Sequence, residues 1–409
     1  MSVVAQDARG CVLDTRSLLD QSYSRCIRWT RTDKTRVHCS FKSLQTVCRH
    51  ISEKGGAVSA GNAPISTKVN KKRKRKHTDL NQGEIDIKAF HDKVQSVILE
   101  GTLALVESAK ACGNLNSTEE STEDPVMFPE CGLSGLCEMA KQLPLVDAEE
   151  QETGAQALED SPTLNLDLFS RVTENKSDSA AVVTLLGEEY VIPAKSAFLL
   201  SDFTRVQPLV NYGLKFDLVV IDPPWENKSV KRSRRYSALP SSQLKKLPIP
   251  LLASSNCLVV TWVTNRPSHL RFVRDDLYPH WGVEVVAEWL WVKVTTSGQF
   301  VFPLDSEHKK PYEVLVLGRF SSTVNGTEGC WSESVSIEDH RLIVSVPSTL
   351  HSQKPPLSEA LKPYIRPNAK CLELFARNLL PGWTSWGNEV LKFQHASYFT
   401  MTPAEDDTN

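Results

Sequence analysis

Residues 216–221, FDLVVI, are apolar at every position but Asp217, and they run straight into Asp222-Pro223-Pro224-Trp225. A strand that is hydrophobic on both sides of its pleat has to be covered on both faces, as inner strands of a doubly wound α/β sheet are. Six more strand candidates follow at 257–263, 284–294, 312–318, 341–346, 371–375 and 383–388, with helical candidates at 266–279 and 355–365 between them. The reading is an α/β domain over 176–395 with a mixed, mainly parallel sheet, followed by a flexible tail at 396–409.

The first 175 residues read differently. Residues 1–66 show no sustained period, and Lys71-Lys72-Arg73-Lys74-Arg75-Lys76 is a solvated basic block suited to nuclear import or to a nucleic-acid arm. Ile87, Phe90, Val94, Val97, Ile98 and Leu105 recur at helical spacing, so about 84–110 reads as one or two amphipathic helices, weakened at Gly101. Between Cys112 and Thr163 twelve acidic residues face a single Lys141, the composition of a flexible segment. The whole-chain balance of 47 basic and 49 acidic residues therefore conceals strong local charge.

No apolar run is long enough to span a bilayer, and the N-terminus lacks a secretory pattern, so neither membrane nor export is expected. The ten cysteines contain no C-x-x-C pair and no metal-ligand spacing. Reduced thiols in the nucleus, with the cytosol second, fit that usage.

Asp222-Pro223-Pro224-Trp225 stands where open α/β sheets bind ligands, just past the carboxyl end of a strand. Alone, the tetrapeptide reads equally well as a rigid turn. The two prolines remove two N–H donors, Asp222 adds a carboxylate acceptor, and Trp225 offers a flat surface. Such a site suits a planar group bearing an amine, and adenine is one. Two acceptors, Asp222 and the Pro223 carbonyl, can hold both amine hydrogens and stabilise charge developing on nitrogen as it attacks an activated methyl group.

Six ordered segments extend the pattern: the tetrapeptide, Trp262-Val263-Thr264, Trp291-Val292-Lys293, Ser352-Gln353-Lys354-Pro355, Glu373-Leu374-Phe375-Ala376-Arg377 and Gly387-Asn388-Glu389. Together they resemble the eukaryotic N6-adenine methyltransferases with an Asp-Pro-Pro-Trp signature, over roughly 181–395, and the flanks resemble the methyltransferase-like-four branch. The resemblance implies a Rossmann-like methyltransferase sheet in permuted motif order and S-adenosylmethionine as donor. It implies catalytic roles for Asp222, Pro223, Pro224 and Trp225, and cofactor contacts from Asp202, Phe203, Asp222, Pro223, Lys354, Arg377, Asn388 and Glu389. Gln353 stands where the family usually has histidine, and no G-x-G-x-x-G fingerprint is present.

For substrate, the expected contacts are Trp225, Glu226, Asn227 and Trp262, with the cluster Lys228, Lys231, Arg232, Arg234 and Arg235 placed for a phosphate backbone and His308 and Lys309 in a second loop. Trp289 and Trp291 are read as core. The resemblance implies RNA, specifically 2′-O-methyladenosine in small nuclear RNA giving m6Am, with adenine in DNA as a second substrate. No metal and no protein partner is implied, and the sequence leaves the oligomeric state open, activity as a monomer included. The rivals are a noncatalytic nuclear RNA-binding scaffold, whose tetrapeptide would be broken, and a small-molecule amine methyltransferase, which leaves the basic cluster unexplained.

Overall fold

A computed structural model describes residues 2–29, 34–42, 82–116, 133–143, 155–158, 166–226, 239–306, 309–321, 335–350 and 352–403. Its strands begin with β1 (Val3–Asp7), β2 (Gly10–Leu13), β3 (Cys26–Trp29), β4 (Lys34–Phe41), β5 (Ala155–Ala157), β6 (Val172–Glu174), β7 (Ala180–Leu185), β8 (Glu188–Ile192) and β9 (Ala197–Leu199). They continue with β10 (Phe216–Ile221), β11 (Ala253–Val263), β12 (Val283–Lys293), β13 (Tyr312–Phe320), β14 (Leu342–Ser345), β15 (Cys371–Leu374), β16 (Trp383–Trp386) and β17 (Phe399–Pro403). Three helices matter below: α1 (Thr15–Ser22), α2 (Gln82–Ala111) and α3 (Leu133–Met139).

Twelve strands form one sheet in the order β1-β2-β14-β12-β13-β11-β10-β15-β16-β9-β6-β5. From β2 to β9 every strand points the same way except β13. The carboxyl ends of β2, β14, β12, β11, β10, β15, β16 and β9 therefore share one edge. The apolar runs dictate this: β10 is buried at all six positions, with Val219 and Ile221 in one core and Leu218 and Val220 in the other. The mixed, mainly parallel α/β sheet expected from the sequence is the one observed.

The N-terminal residues do not stand apart from it. β2 pairs in parallel with β14, and Gly10 is required there because a Cβ would lie 1.9 Å from the Leu342 carbonyl oxygen at a φ of +152°. α2 is one continuous helix of 30 residues lying on the sheet, with Val94, Ile98 and Leu105 buried in its core. Each such side chain contributes about 1.5–3 kcal/mol. Gly101, which weakens the helical pattern, is the contact point: a Cβ would come within 2.5 Å of Leu342 Cδ1. A boundary at 175 thus does not divide two folding units.

Two further expectations give way. Within 112–163, α3 buries Leu133 and Cys137 in a core shared with β7 and β9, and β5 pairs with β6. Apolar residues anchor these pieces, and the rest of 117–163 lies outside the described residues. Past 396, β17 pairs with β4 in a second sheet of order β17-β4-β3-β7-β8, and Phe399 packs edge-on against Tyr23 and Phe41. The helical candidate 266–279 is found as consecutive turns from Pro267 to Trp281, closed by Gly282 in the left-handed conformation. The basic block 71–76 lies outside the described residues.

Candidate active site

Asp222 follows β10 on the row of Leu218 and Val220, and pairing of Val220 with Glu373 puts Glu373 of β15 on the same face. Asp222 is 8% exposed, and its Oδ2 accepts from Arg377 Nη1 at 3.0 Å. Lys354 Nζ stands 3.9 Å from Oδ1 and 2.5 Å from Glu313 Oε2, and Lys293 Nζ lies 2.5 Å from Glu313 Oε1. On the other side Glu389 holds Arg377 at 3.2 Å and Lys392 at 2.8 Å. Lys392, Glu389, Arg377, Asp222, Lys354, Glu313 and Lys293 thus alternate in sign along the carboxyl edge.

Burial opposes charge on every member, so the pairing has to sustain it. At Glu313 burial works upward on the carboxyl, yet Lys354 and Lys293 pull it down to about 2. Lys354 is raised by Asp222 and Glu313 against the same burial. Glu373 has no such cations of its own. Burial, and then the Asp222 carboxylate, push it up to about 8, and it has no hydrogen-bond partner among the described residues. The site therefore holds a ribbon of alternating ion pairs beside one carboxyl, Glu373, that favours its proton.

The tetrapeptide is a tight turn: Trp225 N–H donates to the Pro223 carbonyl at 2.8 Å, and Leu239 N–H to the Pro224 carbonyl at 3.1 Å. The Pro223 oxygen keeps its second lone pair. Trp225 differs from the expected open platform. It is 5% exposed, its Nε1 donates to the Trp262 carbonyl at 2.8 Å, and its ring stacks on His269 at 4.7 Å. The prolines fold the indole back under β11, where it is a wall and a brace. His269 is held by Thr264 Oγ1 at 2.9 Å and driven down to about 4 by burial and by Arg266, so it stacks as a neutral ring.

Trp262 meets Trp291 edge-on at 5.5 Å, and Lys354 lies over both rings at 5.3 and 5.7 Å. Trp289 and Trp291 are both core as expected, Trp289 with its Nε1 on the Glu338 carbonyl and Trp291 also flooring the site beneath Lys354. At the end of β9, Asp202 caps its own loop through Thr204 N–H at 3.0 Å and faces Lys141 at 3.4 Å. Phe203 stacks on Phe375 at 6.4 Å, which in turn leans on Trp386. Asn388 is exposed beyond β16, next to Gly387, where an added Cβ would lie 3.0 Å from the Ala376 carbonyl oxygen.

The structure thus gathers Asp222, Pro223, Pro224, Lys354, Arg377 and Glu389 in one place and lines up Asp202, Phe203 and Asn388 on the same edge. Glu226 contacts Arg266 through its carbonyl at 3.5 Å. Lys309 is exposed, its ammonium 5.3 Å over Phe302, away from the ribbon. Asn227, Lys228, Lys231, Arg232, Arg234, Arg235 and His308 lie outside the described residues. Lys293 and Glu373 stand in the motif segments without an assigned site role, and Glu313 is in none of them. The available signal was one acid inside the apolar run YEVLVL.

A zwitterionic amino acid with a cationic sulfur matches such an edge: cations and an acid alternate, the Asp222–Lys354 link is the loosest, and the Phe203–Phe375 pair offers an aromatic wall alongside. The MT-A70 family profile matches residues 216–389, which span this whole edge from β10 to Glu389. The chain is 52% identical over 358 residues, 86% of its length and 76% of the other's, to the human N(6)-adenine-specific methyltransferase METTL4. The chain belongs to the MT-A70 family. It is also 36% identical over 226 residues to the N6-methyladenosine RNA methyltransferase MTA1 of Pyricularia oryzae, covering 53% of this chain and 58% of the relative. With the DNA N6-methyl methyltransferase of Caenorhabditis elegans it shares 35% identity over 216 residues, 52% of this chain and 56% of the relative. MT-A70 enzymes of this type transfer methyl groups to adenine N6 and use S-adenosylmethionine, the donor the ribbon fits. Among the described residues no metal-binding cluster occurs, and no helix is long and apolar enough to cross a membrane.

Proposed function

We propose that the chain methylates the N6 amine of adenine in single-stranded nucleic acid, with 2′-O-methyladenosine of small nuclear RNA as its first substrate and adenine in DNA as its second. The observation that carries the reading is Asp222: buried at a strand end, placed between the cations of Arg377 and Lys354, with acceptor capacity left over. RNA and DNA both appear in the names of the relatives. The resemblance to the methyltransferase-like-four branch supports the small nuclear RNA target.

Bound S-adenosylmethionine supplies an electrophilic methyl group. Lys354 would pair its carboxylate and Asp222 its ammonium, while Arg377, Asn388 and Glu389 would hold the ribose and Asp202 with Phe203 the adenine end. Asp222 and the Pro223 carbonyl accept from the two hydrogens of the substrate amine and stabilise the positive charge that grows on nitrogen as the new C–N bond forms. Trp225, pinned by Trp262 and His269, fixes the turn that aims both acceptors. The nitrogen gives up its proton only after alkylation, so no strong base is required. The base has to be unstacked to reach this edge.

Nucleoside mass spectrometry after incubation with deuterated-methyl donor tests this, using RNA and DNA oligonucleotides with and without a 2′-O-methyl on the target. Label on N6, greatest on 2′-O-methyladenosine and lost in Asp222→Ala, is the expected result. Label on DNA alone overturns the substrate order, and none on any oligonucleotide overturns the reading. The same proposal has the chain imported into the nucleus through Lys71–Lys76 and active as a monomer. Cytosolic retention of the wild type, or activity only in a higher-mass fraction, would contradict these two points.

A further inference from the structure

Beyond the carboxyl ends of β2, β14 and β12, on the same edge as Asp222, lies a cavity of about 290 Å3. Leu13, Val346 and Thr296 end or follow those strands, and two other chain segments, Asp14–Arg16 opening α1 and Gly113–Asn116 closing α2, complete its wall. One chain of contacts links it to the floor of the reaction site. Ser345, the last residue of β14, accepts from Trp291 Nε1 at 2.9 Å on one side and precedes Val346 of the cavity on the other. From β10 to β14 is four strand steps, roughly 19 Å at the usual spacing.

Its lining selects for a neutral, flat, polar-edged group. Val12, Leu115 and Val346 are apolar. Asn114 and Asn116 donate their amide N–H groups to the Cys112 and Lys110 carbonyls, which leaves both amide oxygens to accept from a ligand. Thr15 Oγ1 is buried and has no hydrogen-bond partner among the described residues. The Asp14 carboxylate, engaged by Ser17, disfavours an anion inside, while Arg16 of the lining is exposed and among the described residues pairs only with Asp20, at 3.7 Å. A hydrocarbon would strand the amides and the hydroxyl.

We infer that this cavity binds a second, unpaired nucleobase of the substrate strand, a few nucleotides from the methylated adenine, with Arg16 at the phosphate beside it. The inference rests on the nucleic-acid reading above and deepens it. It makes the protein a reader of two points on one strand, with the Trp262–Trp291 floor and Lys293 lying between them.

Asn114→Trp, which fills the cavity, and Arg16→Ala, which leaves it open, are compared with wild type on a long single-stranded oligonucleotide and on a trinucleotide centred on the target, in ribo and deoxyribo forms. The expected result is a KM for the long strand raised about ten-fold by Asn114→Trp, the scale of one base's contacts, with kcat and all trinucleotide kinetics unchanged. A smaller rise in Arg16→Ala that vanishes at high salt accompanies it. Equal KM values for filled and wild-type protein on the long strand overturn the inference. Photo-crosslinking of wild type to 4-thiouridine or 4-thiothymidine placed at successive offsets from the adenine reads the same point without turnover. Crosslinks at 13–16 or 113–116 from one offset support the site, and crosslinks confined elsewhere overturn it. A wild type that methylates neither length defeats the function reading instead, and the crosslinks still decide the cavity.

Discussion

Asp217 and Asp222 bracket the same strand, β10, and each is 8% exposed. Asp217, at the amino end, is saturated: Ser254 Oγ donates at 2.8 Å to one oxygen, and the Lys370 N–H at 2.9 Å and Arg366 Nε at 3.0 Å serve the other. Asp222, at the carboxyl end, receives one short bond from Arg377, and its Oδ1 has only the 3.9 Å lysine among the described residues. Equal burial therefore separates nothing. What marks a site is acceptor capacity left over at the edge where strands end, and what marks a lock is its absence.

The sharpest way to break that comparison is to neutralise each carboxylate in turn. Asp222→Asn should lower turnover by about 10²–10³-fold, the loss seen when one charge-stabilising group is removed, with a drop in melting temperature limited by Glu389 and Glu313, which still pair Arg377 and Lys354. Asp217→Asn should do the converse, losing about 1.5–3 kcal/mol of stability by weakening the hydrogen bonds that Ser254, the Lys370 N–H and Arg366 give to its charged carboxylate, while the folded fraction keeps its turnover. Single-turnover kinetics and thermal melts on both variants check this. A catalytic loss in Asp217→Asn as large as in Asp222→Asn would abolish the distinction.

Glu313→Gln comes next. It leaves Lys354 and Lys293 as unscreened neighbours and slackens the hold on Asp222, so kcat/KM should fall about ten- to hundred-fold, corresponding to ~1.5–3 kcal/mol for hydrogen bonds to a charged group. The sign with pH is fixed. A carboxyl depressed from 4.5 to about 2 contributes stability above its unfolded value and loses it only as pH falls through about 2, so the deficit of Glu313→Gln should be flat across neutral pH. A deficit that changes between pH 6 and pH 8 would point to another group.

Glu373 has the opposite sign. Its carboxyl is raised from 4.5 to about 8, so the native state holds a proton that the unfolded chain gives up, and stability falls as pH rises through that interval. Glu373→Gln should remove this slope and exceed wild type on the alkaline side by on the order of 1 kcal/mol. Melting temperatures of both proteins at several pH values test it, and parallel curves would mean that Glu373 is ionised throughout.

The strands around the site were legible because a doubly covered strand has few ways to be written: β10 through β16 are apolar runs, found within a few residues of their expected ends. β1 and β2 were not, because β2 is four residues long and its partner β14 lies far along the chain. The identity of Asp222, Lys354 and Arg377 as one cluster came from motif order. Periodicity brings no two of them together. Glu313 and Lys293 gain meaning only from the antiparallel return of β13 beside β12, which sets their side chains in reach of each other. The burial of Trp225 was illegible for the same reason: it depends on His269, a residue of the turn after β11 that no local pattern ties to the tetrapeptide.

That contact supplies the mildest test. His269 is depressed from 6.5 to about 4, chiefly by burial, so it contributes stability above its unfolded value and loses it as pH falls toward about 4. Protonation there would set a charge against the Trp225 ring and in the field of Arg266. His269→Phe keeps a ring beneath Trp225 and removes the titration. It gives up the 2.9 Å contact with Thr264, so a loss of about 1 kcal/mol at neutral pH is expected. That gap should narrow as the solution is acidified, because only wild type carries the acid-sensitive group. Turnover should change by less than about three-fold, since Trp225 still has the Trp262 carbonyl to hold its edge. If His269→Phe instead removed activity as completely as Asp222→Asn, the wall beneath the tetrapeptide would have to be counted with the reacting groups, and the line drawn between saturated lock and open acceptor would run through Trp225.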